Sequence, residues 1–146
     1  MIVYVDASAL VKRYVVEEGS PAVERLMLEA SHAGTSLLSR AEVSAAIARA
    51  PRMGALVEKE AVAAVRRFRS DWPDLVRIRV DETTVARADL LAWAHGLRGH
   101  DAVHLACALA WREAVGEDLV VATYDRDLWK AAMAEGLTPW PKGLVN

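Results

Sequence analysis

Short apolar runs alternate with stretches of helical periodicity along this chain of 146 residues, and the alternation predicts a series of strand–helix units. Ile2 to Val5 is an apolar, β-rich run that reads as a strand. Apolar residues then return at helical spacing from Ser8 to Val15, until Glu17-Glu18-Gly19 interrupts them. Ser20-Pro21 supplies an N-cap and a first-turn proline for a helix that Gly34 is placed to close, and Thr35 to Leu38 reads as a second strand. Ser39 and Glu42 make the S-x-x-E capping-box pattern, opening a helix to about Arg49 that Pro51 stops. Glu58 to Ser70 is amphipathic, with Ala61, Val62, Val65 and Phe68 on its apolar side, and Asp71-Trp72-Pro73 ends it. Val76, Ile78 and Val80 alternate with arginines, which suits an edge strand.

Asp81 then caps a helix reaching His95 before Gly96, and another helix runs from Asp101 to about Ala114. Leu119 to Thr123 is a buried-type strand, Arg126 to Glu135 a last helix closed by Gly136, and the tail from Leu137 to Asn146 offers one short edge strand. Strands alternating with helices imply a mainly parallel sheet covered on both faces, so the expected architecture is α/β, a three-layer α/β/α sandwich. The length and the 53% hydrophobic content suit one domain over residues 1–146 with one sizeable core.

A net charge of −2 removes the global basic field of many nucleic-acid binders, so any polyanion contact must come from a local patch. Cys107 stands alone, which excludes an internal disulfide and suits a reducing compartment. No apolar run approaches the roughly 18 residues of a membrane span, and the amino terminus reads as a strand rather than a signal peptide. The expectation is a soluble, cytoplasmic protein. Of the five tryptophans, Trp93, Trp111 and Trp129 fall within helices among apolar neighbours and are expected in the core.

Four carboxylates change the picture. Asp6, Glu42, Asp101 and Asp125 each sit where a strand gives way to a helix, or where a helix begins. Each has a structural alternative as a helix cap or first-turn acid, and Glu42 is explained by the Ser39 capping box. Their conjunction favours chemistry, because α/β sheets bind ligands outside the carboxyl ends of their strands. Crowded carboxylates repel one another, and a hard divalent cation with oxygen ligands is the usual remedy. His104, one turn beyond Asp101, reads as a packing or supporting residue rather than a ligand. Asp127 either joins the cluster or favours the dipole of the last helix.

Competing folds fit less well. An aspartyl phosphatase wants a second Asp two residues after Asp6, where this chain has Ser8. A receiver domain wants an adjacent acidic pair at the first strand, and no strand is followed by the G-x-G-x-x-G of a dinucleotide site.

The runs Val5-Asp6-Ala7-Ser8-Ala9-Leu10-Val11-Lys12, Ser36-Leu37-Leu38-Ser39-Arg40-Ala41-Glu42-Val43, Arg98-Gly99-His100-Asp101-Ala102-Val103-His104-Leu105-Ala106 and Thr123-Tyr124-Asp125-Arg126-Asp127 resemble the PIN-domain family. The likeness is strongest to the VapC-type toxins of bacterial toxin–antitoxin pairs. It covers most of the chain, although residues 51–80 match only as generic helix and strand. Tyr124 stands where the family often has a smaller residue, which alters access to the cleft.

The resemblance implies a ribonuclease that uses Mg²⁺ or Mn²⁺ held by Asp6, Glu42, Asp101 and Asp125. It also implies a homodimer and a small antitoxin partner. On this reading Asp6 and Asp101 are the main ligands, with Asp125 and Glu42 binding directly, holding waters or accepting a proton. Ser8, Thr123 and Asp127 support the site, Thr123 by orienting Asp125. Lys12, Arg13, Arg40, Arg98, His100, Arg126 and Lys130 flank the motifs and are candidates to hold RNA phosphates. A catalytically silent PIN-like binding module is the non-enzymatic alternative, and an intact set of four acids argues against it.

Overall fold

A computed structural model describes residues 1–146. Its strands are β1 (Ile2–Val5), β2 (His32–Ser36), β3 (Val76–Ile78), β4 (Leu119–Ala122) and β5 (Thr138–Trp140). Its α-helices are α1 (Ala7–Leu10), α2 (Ser20–Glu29), α3 (Leu38–Arg49), α4 (Glu58–Asp71), α5 (Glu82–His95), α6 (Gly99–Val115) and α7 (Arg126–Ala134). The strands form one sheet in the order β3-β2-β1-β4-β5, with every neighbouring pair parallel. Tyr4 of β1 lies opposite Gly34 of β2 and Val121 of β4.

Alternation along β1 divides the interior into two cores. Val3 and Val5 point into a cluster built with Leu10, Val23, Val43, Ile47 and Phe68, which belongs to α1–α4. Ile2 and Tyr4 point the other way, among Leu91, Leu105, Leu109 and Leu128 of α5–α7. The result is the expected three-layer sandwich. The chain builds outward from β1 to β3, then crosses back through α5 and α6 to lay β4 beside β1. The strand order therefore reverses between β1 and β4, where such sheets open a crevice at their carboxyl ends.

The structure corrects several local expectations. The first helix is one turn, α1, continued by a 3-10 turn over Val11–Arg13. Helix α2 stops at Glu29 because Ala30 turns extended, so Gly34 does not close it and lies within β2 instead. A side chain there is excluded by its surroundings: a Cβ on Gly34 would lie 2.8 Å from the Trp111 ring and 3.0 Å from the Val76 carbonyl oxygen. The capping box is absent, since α3 begins at Leu38 and the Ser39 hydroxyl instead lies 2.6 Å from that of Thr35. Helix α6 starts two residues early, so Asp101 sits in its first turn and does not cap it. Trp93 is 92% exposed rather than buried. It follows Leu91, which faces the core, by two residues or about 200° of helix, and so points to solvent. Trp129 is buried and Trp111 half-buried, as expected. No helix is long and apolar enough to cross a membrane.

Candidate active site

At the carboxyl edge of the sheet, one small pocket is lined by Asp6, Ala7, Ser8, Glu42, Arg98, His100, Asp101, His104 and Asp125. All four acids singled out from the sequence meet there, and Ala7 is the only apolar lining residue. They arrive from four elements: Asp6 follows β1, Glu42 lies on α3, Asp101 in the first turn of α6, and Asp125 caps α7 after β4.

Asp6 is the most enclosed, with 2% exposure. Its Oδ1 accepts from the Ala9 backbone N–H at 2.9 Å and the Ser8 hydroxyl at 2.7 Å, while Oδ2 accepts from the Thr123 hydroxyl at 2.6 Å. It therefore caps α1 and lines the pocket at once. Burial pushes its pKa up, opposed by the charge of His104 and by these hydrogen bonds. The Thr123 hydroxyl thus holds the Asp6 carboxylate and also contacts Asp125, by accepting its backbone N–H at 3.0 Å. Ser8 closes the β1–β4 junction by accepting the Tyr124 backbone N–H at 2.9 Å.

Asp101 is buried, and its pKa is also pushed up, first by burial and then by the nearby Asp125 charge; His100 and Arg98 oppose both. Arg98 bridges the two acids. Its Nε donates to Asp101 Oδ2 at 3.2 Å and its Nη2 to Asp125 Oδ2 at 2.9 Å, while 68% of the side chain remains exposed. Asp125 Oδ1 accepts the Leu128 backbone N–H at 2.8 Å.

Glu42 reaches across the sheet edge to His104, with Oε1 and Nε2 2.7 Å apart. His104 is 1% exposed, and its Nδ1 lies 2.7 Å from the hydroxyl of the fully buried Tyr4. Burial alone would lower the pKa of His104, but Glu42, Asp6 and Asp101 together raise it. Tyr4 was not foreseen as part of this assembly. Its signal was its place two residues before Asp6 on one strand face, as that of Arg98 was its place three residues before Asp101.

Other candidates lie elsewhere. Asp127 does not line the pocket. Lys12 pairs with Glu17 at 3.2 Å and stacks over the Tyr124 ring, Arg13 lies 3.8 Å from Asp71, and Arg40 stacks over Trp72. None of these three, nor Arg126 or Lys130, lines the pocket; Arg98 and His100 do.

The donor set, two buried and two partly buried carboxylates gathered in one pocket, is chemically that of a hard divalent cation. No three His, Cys, Asp or Glu side chains are arranged as a ready coordination shell. Arg98 supplies the positive charge between Asp101 and Asp125 instead, so a cation there competes with its guanidinium for the same oxygens.

The chain is similar in sequence, and its fold in shape, to known proteins. Ribonuclease VapC49 of Mycobacterium tuberculosis is 42% identical over 144 residues, covering 98% of this chain and 97% of that protein. Among solved structures, FitAcB from Neisseria gonorrhoeae aligns with a TM-score of 0.65 at 18% identity, covering 97% of each chain. A toxin–antitoxin complex from Klebsiella pneumoniae aligns with a TM-score of 0.63 at 17% identity, covering 86% of this chain and 88% of that one. The PIN domain model matches residues 3–133, and the chain belongs to the PIN domain family.

Proposed function

We propose that the protein is an endoribonuclease that depends on Mg²⁺ or Mn²⁺, and that it acts as the toxin of a toxin–antitoxin pair. The observation that carries this reading is the meeting of Asp6, Glu42, Asp101 and Asp125 in one pocket of a chain so similar to a named ribonuclease.

Phosphodiester hydrolysis at neutral pH needs an activated water and compensation of charge on the attacked phosphate. Bound Mg²⁺ or Mn²⁺ supplies both. In this reading Asp6 and Asp101 are the principal ligands, and their burial favours exchanging desolvated negative charge for bonds to a cation. Asp125 and Glu42 would complete the set that holds the ion, hold water beside it, or accept the proton of the attacking water. Ser8 and Thr123 hold the Asp6 carboxylate in one orientation throughout. Arg98 and His100 line the same pocket with partly exposed side chains, which supports a role for them in holding RNA phosphate.

A small antitoxin that covers this pocket and a homodimeric toxin complete the proposal. The test is direct. Purified protein freed of antitoxin cleaves single-stranded RNA in Mg²⁺ or Mn²⁺, EDTA stops it, and Asp6→Asn and Asp101→Asn each remove most activity. Undiminished cleavage in excess chelator sinks the metal mechanism, and wild-type turnover by either variant moves the site elsewhere.

A further inference from the structure

We infer that His104, set by Tyr4, is a positioning residue that fixes the Glu42 carboxylate in the acidic pocket. Glu42 comes from α3 on one side of the sheet, and His104 from α6 on the other. Nothing on α3 itself restrains Glu42, because the expected capping box is absent. Its one hydrogen bond is the 2.7 Å contact between Oε1 and His104 Nε2. A half-buried glutamate without that tether regains rotamers that lead to solvent, and its side chain has much rotamer entropy to recover.

The imidazole is itself held on its other side. Tyr4 is fully buried and its hydroxyl lies 2.7 Å from Nδ1, with the two rings edge to face at 5.9 Å. When the tyrosine hydroxyl donates to Nδ1, the ring proton sits on Nε2 and is aimed at Glu42. One oxygen of Glu42 is thereby occupied, and Oε2 remains for the pocket. Tyr4 and Asp6 share a face of the first strand and its extension, while Asp101 lies one turn from His104. The tether thus ties together the three elements that deliver Asp6, Glu42 and Asp101. The inference rests on the nuclease reading only for its effect on turnover; the placement of Glu42 is independent of it.

Three variants test it: His104→Leu fills the space without a donor, His104→Gln keeps a donor at the Nε2 position, and Tyr4→Phe removes only the hydroxyl. With wild-type folding verified by melting temperature, His104→Leu is expected to lower kcat and Mn²⁺ affinity by calorimetry about 10- to 100-fold, the usual consequence of losing a group that orients a ligand. The KM for RNA stays unchanged. His104→Gln recovers most of the loss, and Tyr4→Phe falls between. Crystal structures add a readout free of activity: Glu42 leaves the pocket in His104→Leu and stays in His104→Gln. If wild type lacks nuclease activity but Glu42 still moves this way, the nuclease reading fails and the positioning role stands. Unmoved Glu42 in His104→Leu, or equal loss in His104→Leu and His104→Gln, overturns the inference.

Discussion

Asp101 shows at the level of one side chain how a site can cost stability. A carboxyl group whose folded pKa lies above its unfolded value destabilises the fold when ionised, and Asp101 is shifted that way by burial and by Asp125. Removing its charge should therefore help the metal-free protein. Asp101→Asn is expected to unfold in EDTA at pH 7 at the same or a higher temperature than wild type, and to gain less from added Mg²⁺, since a ligand stabilises the fold only as far as it binds. A differential scan of both proteins with and without Mg²⁺ checks this. Identical metal-induced shifts would remove Asp101 from the ligand set.

Individual elements carry two further expectations. Gly34 in β2 has no room for a methyl group beside Trp111, so Gly34→Ala should cost about 1–3 kcal/mol by overpacking, and less in a Trp111→Phe background where the ring is smaller. Denaturant melts of the four proteins measure the coupling. At the start of α5, Asp81 accepts from the Thr84 backbone N–H and hydroxyl, both at 2.9 Å, and the first of these bonds does most to hold its pKa below the ordinary value of 3.8. A depressed carboxyl pKa gives stability above the unfolded value that is lost as pH falls through the folded one. Asp81→Ala should therefore melt lower than wild type at pH 7, and the gap should close below about pH 4; Asp81→Asn should show little gap at either pH.

The same elements show what could be read from the chain. Apolar runs located β1 and β4, and the acid at the end of each, because a strand buried on both faces has an unmistakable composition. Helix boundaries at Asp81 and Gly96 were equally plain. Ser39 and Glu42 matched a capping box, but tertiary partners, Thr35 and His104, took both side chains. Gly34 read as a helix stop because its reason for being glycine, the Trp111 ring, lies 77 residues away in α6. Trp93 was misplaced for a related reason: a weakly amphipathic helix does not announce which side faces inward. The neighbours of the flanking cations were not legible either, since the pairing of Lys12 with Glu17 and of Arg13 with Asp71, and the stacking of Arg40 over Trp72, are decided by packing that leaves no linear trace.

Across the whole molecule, the two cores divide the chain nearly in order. Residues up to Leu75 supply all but one of the buried members of the first, and residues from Ala88 onward, with Ile2 and Tyr4, supply the second. The last inner strand to join the sheet, β4, also leads Thr123 to the Asp6 carboxylate and Asp125 to the pocket. In cells, expression of the intact chain is expected to arrest growth, and co-expression of the cognate antitoxin to relieve the arrest; harmless expression of folded protein would sink the toxin assignment. The topology adds a consequence for biosynthesis. A polypeptide released before Leu119 lacks the inner strand β4 and the edge strand β5, the hydroxyl that holds Asp6, and one of its four acids. Chains ended there should leave growth untouched, so that arrest requires β4 and Asp125 to have been translated and earlier abortive products pose no hazard to the cell that makes them.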